Sequence, residues 1–257
     1  MNPGLSVRQR TRTILDIHVQ SERNLKQYLS GLGPAEIGRI RLLDLMFSPI
    51  DRLDCLPVLR NLSHVRLAST AVSDLSPLRN LSRLRSLVIA DTPVRDLSVL
   101  WDMKKLRLLE LGGNPLLFDY SPLRALVQLR SLSIVGSHHC NLELIGELAC
   151  LKSLYLSVCD ELSDFGALSR LKNLTHLTLC NGEVKSLSFL SELPNLESLS
   201  LNACSSIRDI SCAAGLKKLR FLCLWKSSVE DVSSLSGIKG LRVIPSEFSP
   251  LNPIMVF

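Results

Sequence analysis

The segment LRSLVIADTPVRDLSVLWDM, from Leu84 to Met103, has a regular spacing of apolar residues. If Leu84 is counted as position 1, apolar residues occupy positions 1, 4, 6, 11, 14, 17 and 20. Leu87 and Ile89, at positions 4 and 6, alternate in the way of a strand with one buried face. The later apolar residues lie three apart, which suits a tight turn or a 3₁₀ segment. The stretch therefore predicts a short strand followed by a segment that returns along the other side of a coil.

The same pattern recurs along the chain at steps of 22 or 23 residues. Position 1 falls at Ile40, Leu62, Leu84, Leu106, Leu129, Leu151, Leu174, Leu196, Leu219 and Leu241. One unit cannot enclose its own leucines, but stacked units bury them in a continuous column. Strands about 4.8 Å apart would then form a parallel sheet.

The segment VSDLSPLRNLSRLRSLVIADTPVRDLSVL (residues 72–100) resembles the short, 22-residue class of leucine-rich repeat. That class includes the internalin-type repeats and the leucine-rich regulatory subunits of protein phosphatase 1. The resemblance covers about residues 37–244. It implies an α/β solenoid of about ten coils, a right-handed curved horseshoe with a parallel sheet on the concave face and a 3₁₀ or extended convex side.

Three segments are expected. Residues 1–36 form an N-terminal cap with one helix, in which Ile14, Ile17 and Val19 imitate positions 1, 4 and 6. Residues 37–244 form the solenoid, and residues 245–257 form a C-terminal cap or a docking tail.

Two polar positions are expected to hold the loops. Position 9 is Asn in most family members and bonds loop backbone between coils; here it is Ser48, Thr70, Thr92, Asn114, Ser137, Cys159, Gly182, Cys204 and Ser227. The coils with 23 residues should bulge just after it. Aspartates that precede position 14 should accept backbone N–H bonds where the convex segment begins: Asp74, Asp96, Asp164, Asp209 and Asp231.

Positions 3, 5, 7 and 8 are expected to face the concave side. Most carry small residues, so the larger ones are the candidates for contact with a protein partner. These are Phe47, His64, Arg66, Glu110, Tyr155, His176, Phe221, Trp225 and Lys226. An alternative is that Phe47 and Trp225 only cover the ends of the sheet.

Position 2 is basic in seven of the ten units. We call these residues the basic edge: Arg41, Arg85, Arg107, Arg130, Lys152, Arg220 and Arg242. Stacking should put them in one row, where an acidic or phosphate-bearing partner would relieve their repulsion. The alternative is a solvated edge whose long side chains cover apolar surface.

Several function classes lack support in the sequence. No phosphate loop, GxSxG or HExxH motif is present, so we expect no enzyme and no cofactor. His138, His139 and Cys140 are too close together for a zinc site, and no fourth ligand is apparent. No apolar run reaches the ~18 residues of a membrane span. The eight scattered cysteines predict a reducing, intracellular and cytoplasmic location; an organelle-targeting N-terminus with Arg8, Arg10 and Arg12 is the alternative.

The sequence favours a non-catalytic scaffold or adaptor that binds another protein on its concave face, and the basic edge would suit an acidic partner. No small-molecule substrate is expected. One alternative, from the resemblance, is a phosphatase 1 regulatory subunit that uses Phe47, Tyr155, Phe221 and Trp225. Others are a ribonucleoprotein component with RNA on the basic edge, and an exported adhesin of internalin kind.

Overall fold

The computed structural model describes residues 5–11, 14–19, 22–136, 140–158, 164–182 and 184–244. Within these ranges, twelve strands form one sheet in chain order. The strands are β1 (Leu5–Thr11), β2 (Ile14–Val19), β3 (Leu42–Asp44), β4 (His64–Arg66), β5 (Ser86–Ala90), β6 (Leu108–Gly112), β7 (Ser131–Val135), β8 (Ser153–Ser157), β9 (His176–Cys180), β10 (Ser198–Asn202), β11 (Phe221–Cys223) and β12 (Arg242–Ile244).

Strands β2 to β12 are parallel, and β1 pairs antiparallel with β2. Each repeat contributes one strand at positions 3 to 5 or 3 to 7, so every strand has the preceding and the following coil as its neighbours. The sheet is not closed. This architecture confirms the predicted solenoid.

Short 3₁₀ segments form most of the convex side. They are Leu56–Val58, Ser76–Leu78, Ser98–Asp102, Ser121–Ala125, Phe165–Arg170, Ser188–Glu192, Ser211–Gly215 and Ser233–Leu235. One coil differs from the 3₁₀ or extended expectation, because its convex segment is the α-helix α3 (Leu142–Gly146), which the Asn141 side chain caps by accepting from Glu143 N. Asparagine is one of the residues preferred at the N-cap of an α-helix.

The core is a continuous aliphatic column. The position-4 residues Leu87, Leu109 and Leu132 are at most 1% exposed and pair in register across β5, β6 and β7. The position-1 leucines are buried in the same way from Ile40 to Leu219. Each coil therefore completes the core of its neighbours, as the repeat pattern predicts.

At the N-terminal end, the register differs from the expectation. Ile14 pairs with Leu42 and Leu15 pairs with Leu43, so Leu15 takes position 4, which had been assigned to Ile17. The hairpin between β1 and β2 sets this register, and it was not recognisable from the repeat pattern. Helix α1 (residues 22–30) follows and buries Leu25 and Leu29, and a second helix of four residues, α2 (residues 34–37), was not expected. The boundary at residue 36 stays a prediction.

The last coil is also displaced by one residue. Phe221, at position 3, pairs with Arg242, so Leu241 occupies position 2 and is not the start of the unit. Gly240 has a left-handed backbone (φ +75°), and the coil is thereby one residue shorter than the 22-residue unit. Arg242 therefore occupies position 3, and the prediction that it belongs to the basic edge at position 2 is wrong. The C-terminal cap or tail, residues 245–257, lies outside the described residues.

Position 8 is left-handed in all nine coils from Ile40 onward in which the structure describes it. Two of these residues are glycine; the others are Phe47, Ser69, Asp91, Val158, Asn181, Ala203 and Lys226. In the first eight of the nine coils, the position-8 N–H donates to the position-7 carbonyl of the next coil, as Asp91 N does to Gly112 O at 2.7 Å. The chain thus leaves the regular strand at position 8, and the expectation that its side chain lies on the concave face stays a prediction.

Position 9 has the predicted role in part. Asn114 Nδ2 donates to Ile89 O of the preceding coil at 2.8 Å, and its Oδ1 accepts from Thr92 N and Oγ1. Cys204 Sγ lies 3.5 Å from Leu179 O, the equivalent carbonyl. Thr70 bonds Leu67 O in its own coil. Ser137 and Cys159 lie outside the described residues.

The predicted aspartate caps are all present. Each accepts the N–H of the second following residue, at distances of 2.7 to 2.9 Å: Asp74 from Ser76, Asp96 from Ser98, Asp164 from Gly166, Asp209 from Ser211 and Asp231 from Ser233. Asp119 does the same for Ser121, although the sequence analysis did not include it. The expected bulges after position 9 occur as turns in which Leu117 N donates to Asn114 O and Ile207 N to Cys204 O. The third lies outside the described residues.

Candidate functional site

The concave face is built from three columns of side chains, at positions 3, 5 and 7 of successive strands. Because the strands are parallel and in register, each column runs along the stack with one residue per coil. The position-3 column contains the half-buried serines Ser86, Ser131, Ser153 and Ser198, with Leu108 and His176 between them. Of the larger predicted residues, six lie towards the two ends of this face, and Glu110, Tyr155 and His176 lie in its middle strands.

At the N-terminal end, Arg66 Nη1 bonds Asp44 Oδ2 at 3.0 Å. His64 lies two residues before Arg66 on the same strand, and its Nδ1 is 2.8 Å from Ser63 Oγ. Burial and the charge of Arg85 lower the pKa of His64, so its imidazole is neutral at pH 7. The basic edge lies beside the concave face here, because Ser86, which follows Arg85, pairs in register with His64.

A row of polar residues crosses strands β8 to β11. The Tyr155 hydroxyl lies near the side chains of Ser157 and Cys180, and the Cys180 thiol lies near Asn202. Cys223 Sγ lies 3.1 Å from Asn202 Oδ1. Tyr155 thus stands among polar groups on the concave surface.

The Cys180 thiol of this row is not activated. Burial raises the pKa of Cys180, and it raises the pKa of the neighbouring Cys204 to about 11. A nucleophilic cysteine needs a lowered pKa, so these thiols are suited to packing and hydrogen bonding. The seven described cysteines are free.

Three predicted residues lie at the rim or near the end of the face. Phe47 is 72% exposed, and its left-handed backbone turns it out of the sheet. Lys226 has the same backbone and lies 4.6 Å from the Trp225 ring centre in a cation–π contact. Trp225, at position 7, is half-buried and ends the concave face after β11.

The remaining predicted residues are separate from one another. Glu110 pairs in register with Val88 and Ser133, His176 with Ser153 and Ser198, and Phe221 with Ser198 and Arg242. The structure thus brings together Tyr155 with a polar row, and Arg66 with Asp44, but does not gather all nine residues into one site.

Asp44, Cys180 and Asn202 were missed by the sequence analysis as partners of the candidates. A signal for them was present: residues at positions 5 and 7 of adjacent coils are neighbours on one face, and a Tyr beside Ser, Cys and Asn in those columns predicts hydrogen bonds.

The basic edge forms a ladder as expected, except for Arg242. Arg107 N donates to Arg85 O, Arg130 N to Arg107 O, and Lys152 N to Arg130 O, all at 2.8 Å. Arg41 and Arg220 instead use their guanidinium groups on turn carbonyls, including Gly38 O at 2.6 Å and Lys217 O at 3.2 Å. In the described part of the basic edge, the guanidinium groups of Arg41 and Arg220 thus bond to turns of the chain, unlike those of the arginines between them.

No group of three or more His, Cys, Asp or Glu side chains is arranged to hold a metal ion in the described part of the chain. His138 and His139 lie outside the described residues. Among the residues searched, no helix has the length and hydropathy to cross a membrane.

No protein-family model matches this chain, and no curated protein matches its sequence. Solved structures do match. Internalin InlF of Listeria monocytogenes has a TM-score of 0.73 at 22% identity, over 90% of this chain and 66% of that one. A leucine-rich-repeat protein of Leptospira interrogans has a TM-score of 0.60 at 17% identity, over 82% of this chain and 62% of that one. TLR13, solved in complex with ssRNA13, has a TM-score of 0.62 at 24% identity, over 82% of this chain and 36% of that one.

This chain thus spans less than two thirds of each of these three proteins. The structural similarity extends along nearly the whole solenoid. Sequence identities this low support a shared fold, but they do not indicate a shared ligand. In its fold, this chain is a leucine-rich-repeat protein.

Proposed function

We propose that this protein is a non-catalytic scaffold that binds a protein partner on its concave face. The observation that carries the proposal is the preformed sheet of in-register strands, in which Tyr155 pairs with Ser133 on one side and Thr178 on the other. A surface that is ordered before binding loses little conformational entropy on association. Aromatic residues at the centre of a contact supply much of its energy.

The arrangement of anchors fits an extended contact. Tyr155 on β8 and Trp225 after β11 are three coils apart, which corresponds to roughly 14 Å along the stack. Between them the concave surface carries Ser and Thr side chains, such as Thr178 and Ser198, which allow close approach and hydrogen bonding. A partner segment lying across β8 to β11 would contact both aromatic residues.

The test is affinity capture followed by mass spectrometry, with the natural protein and the Tyr155→Ala/Trp225→Ala double variant. We expect the double variant to lose the specific partners, because both aromatic anchors are removed. Trp101 and Phe118 are exposed aromatic residues that follow the strands of their coils and lie outside the concave columns. The matched control is therefore Trp101→Ala/Phe118→Ala, which should retain the partners. Capture that is lost only with the control variant, or with neither, would contradict the proposal.

A finer version, a regulatory subunit of protein phosphatase 1, would use Phe47, Tyr155, Phe221 and Trp225. The position of Phe47 at the rim, and the serines in the middle of the face, give this version less support than the general one. Absence of the phosphatase among the captured partners would exclude it. Catalysis is not part of the proposal, and the intracellular location stays a prediction.

A further inference from the structure

The charge of this molecule is divided very unevenly. Consider position 2 and the two residues before position 1 in each of the ten coils, with the last coil in its observed register. Of the chain's 30 basic residues 15 lie there, but only one of its 24 acidic residues, Glu197. These positions carry +14, and the remaining 15 basic and 23 acidic residues give −8, which together make the net charge of +6. One flank of the solenoid is therefore strongly positive, and the rest of the molecule is negative.

The positive charge is densest on four consecutive coils. Arg85, Arg107, Arg130 and Lys152 are neighbours in one ladder of backbone hydrogen bonds, at N···O distances of 2.8 Å. Their backbones are thus about 4.8 Å apart. All four side chains are exposed, and within the described residues none of them forms a salt bridge. We call these four residues the basic run.

Some basic residues elsewhere in the described part of the chain pair with an acidic residue of another coil. Arg79 contacts Asp102 at 3.4 Å, and Arg124 contacts Glu147 at 3.2 Å. Arg170 contacts Glu143 at 2.7 Å. The coil architecture can therefore supply an acidic partner to an exposed arginine, and the basic run lacks one although acidic residues are plentiful in the chain.

Side-chain hydrogen bonds connect successive turns on either side of the basic run. Asn61 Nδ2 donates to Gly38 O of the preceding turn at 2.9 Å, and Arg83 Nη1 donates to Asn61 Oδ1 at 2.8 Å. Asn173 and Asn195 bond the preceding turns in the same way, at 2.9 Å each. Within the basic run, the backbone ladder keeps the four charges on adjacent coils, so that their attractions for an anion add.

We propose that the basic run binds an extended acidic segment of a protein partner, about five residues long. Four coils span roughly 14 Å, which an extended peptide covers with four to five residues at ~3.4 Å each. The guanidinium groups of Arg85, Arg107 and Arg130 suit bidentate bonding to carboxylates.

Several features favour a peptide over a nucleic acid. Single-stranded nucleic acids bind proteins largely by stacking on aromatic side chains, and the flank positions contain none. The basic run is also short for a duplex, which gains affinity from many phosphate contacts. His64 on the concave face lies beside Arg85, so one partner could cover that face and continue over the flank. In this respect the inference extends the proposed function.

The experiment measures the affinity of the purified protein for a fluorescent peptide with six consecutive glutamates, by anisotropy at low and moderate salt. We expect binding that weakens as salt rises, because the charges are exposed. The Arg107→Glu/Arg130→Glu variant should bind at least about tenfold more weakly, since each reversal replaces an attraction by a repulsion. Arg107→Gln/Arg130→Gln provides a milder second variant, and thermal unfolding checks that both remain folded.

The matched control is Arg95→Glu/Arg208→Glu, which changes the net charge by the same amount. Both residues are exposed and lie in loops that follow strands, on the opposite flank. If Arg107→Glu/Arg130→Glu and this control weakened peptide binding equally, the proposal would be overturned, because only the net charge of the protein would then matter. The proposal would also be overturned if a 12-nucleotide RNA bound more tightly than the peptide and Arg107→Glu/Arg130→Glu abolished that RNA binding. The basic run would then be assigned to nucleic acid.

The same titration with Tyr155→Ala/Trp225→Ala separates this inference from the proposed function. Unchanged peptide affinity in that variant is expected, since the basic run does not include the concave anchors. Loss of peptide binding there would show that the peptide occupies the concave face, and would overturn the assignment to the basic run.

Discussion

At the scale of single residues, the fold imposes a left-handed backbone on position 8 whatever the side chain. This conformation costs an ordinary residue about 1 to 2 kcal/mol, and most of all a β-branched one. Val158 is such a residue, at φ +52°. The bond from Val158 N to Cys180 O, 3.0 Å long, helps to maintain the conformation. The repeat pattern does not reveal this position, because only two of its nine described residues are glycine.

Replacing Val158 by glycine should therefore stabilise the protein by about 1 kcal/mol, because the steric penalty is removed while the interstrand bond remains. Chemical denaturation would measure the change. Ala90→Gly is the control, since Ala90 occupies position 7 in a regular strand and gains nothing from glycine. It should destabilise by roughly 0.5 to 1 kcal/mol. The same sign for both variants would contradict the argument.

A second residue-scale prediction concerns the buried hydroxyls of position 9. Ser48 Oγ is buried with no hydrogen-bond partner, whereas Thr70 Oγ1 donates to Leu67 O at 2.7 Å. Ser48→Ala should leave stability unchanged or raise it, because an unsatisfied polar group is removed. Thr70→Val should lower it by about 1 to 2 kcal/mol, since the Leu67 carbonyl loses its partner. Comparable losses in both variants would show that Ser48 is bonded in solution.

At the scale of elements, the convex 3₁₀ segments begin under aspartate caps. Hydrogen bonds from the backbone N–H and hydroxyl of Ser211 lower the pKa of Asp209, and those of Ser233 lower the pKa of Asp231. A carboxylate with a lowered folded pKa stabilises the fold above its unfolded pKa. That contribution is lost as the pH falls through the folded pKa.

The double variant Asp209→Asn/Asp231→Asn should therefore unfold at a lower temperature at pH 7, and its stability should fall less steeply below about pH 4. Thermal unfolding followed across pH 2 to 7 tests this. Both carboxylates are exposed, so the effect is expected to be modest. Glu230→Gln serves as the control, because it removes one exposed carboxylate that caps no segment. A pH profile of the double variant parallel to that of the natural protein would contradict the role of the caps.

The elements also show why some features could be predicted and others not. The aspartate caps and the strands β3 to β11 follow from spacings of two to six residues, which the sequence displays directly. The predicted registers of β2 and β12 were each wrong by one residue, because each register depends on a turn at an end of the solenoid. Near β12 that turn is the left-handed Gly240, and near β2 it is the hairpin with β1. Terminal coils have a neighbour on one side only, and the repeat does not constrain them.

At the scale of the whole molecule, stability is shared along one column. Leu109 is fully buried and contacts the coils on both sides through β5 and β7. Leu109→Ala should destabilise the protein by about 2 to 5 kcal/mol, because it opens a cavity in the middle of the stack. Denaturant titration would measure this. Val127→Ala, at a residue 60% exposed, is expected to change stability by less than about 0.5 kcal/mol. Similar effects of the two substitutions would contradict a shared column.

The functional surface was predictable to a smaller extent than the fold. Positions 3, 5 and 7 could be assigned to the concave face, and Tyr155 and Arg66 were found there. Their neighbours Cys180 and Asp44 lie on adjacent coils, 25 and 22 residues away in sequence, so a pattern read within one repeat did not connect them. The basic edge was visible in the sequence, but the sequence did not show that Arg85, Arg107, Arg130 and Lys152 lack acidic partners.

The most direct test of a partner-binding concave face is site-specific photo-crosslinking in cells. A photoreactive amino acid would replace Ser198, in the middle of the concave face, and in a parallel sample Ser191, in a convex 3₁₀ segment. We predict that Ser198 gives a discrete crosslinked partner and Ser191 gives none. A partner crosslinked from Ser191 and absent from Ser198 would contradict this account of how the solenoid functions.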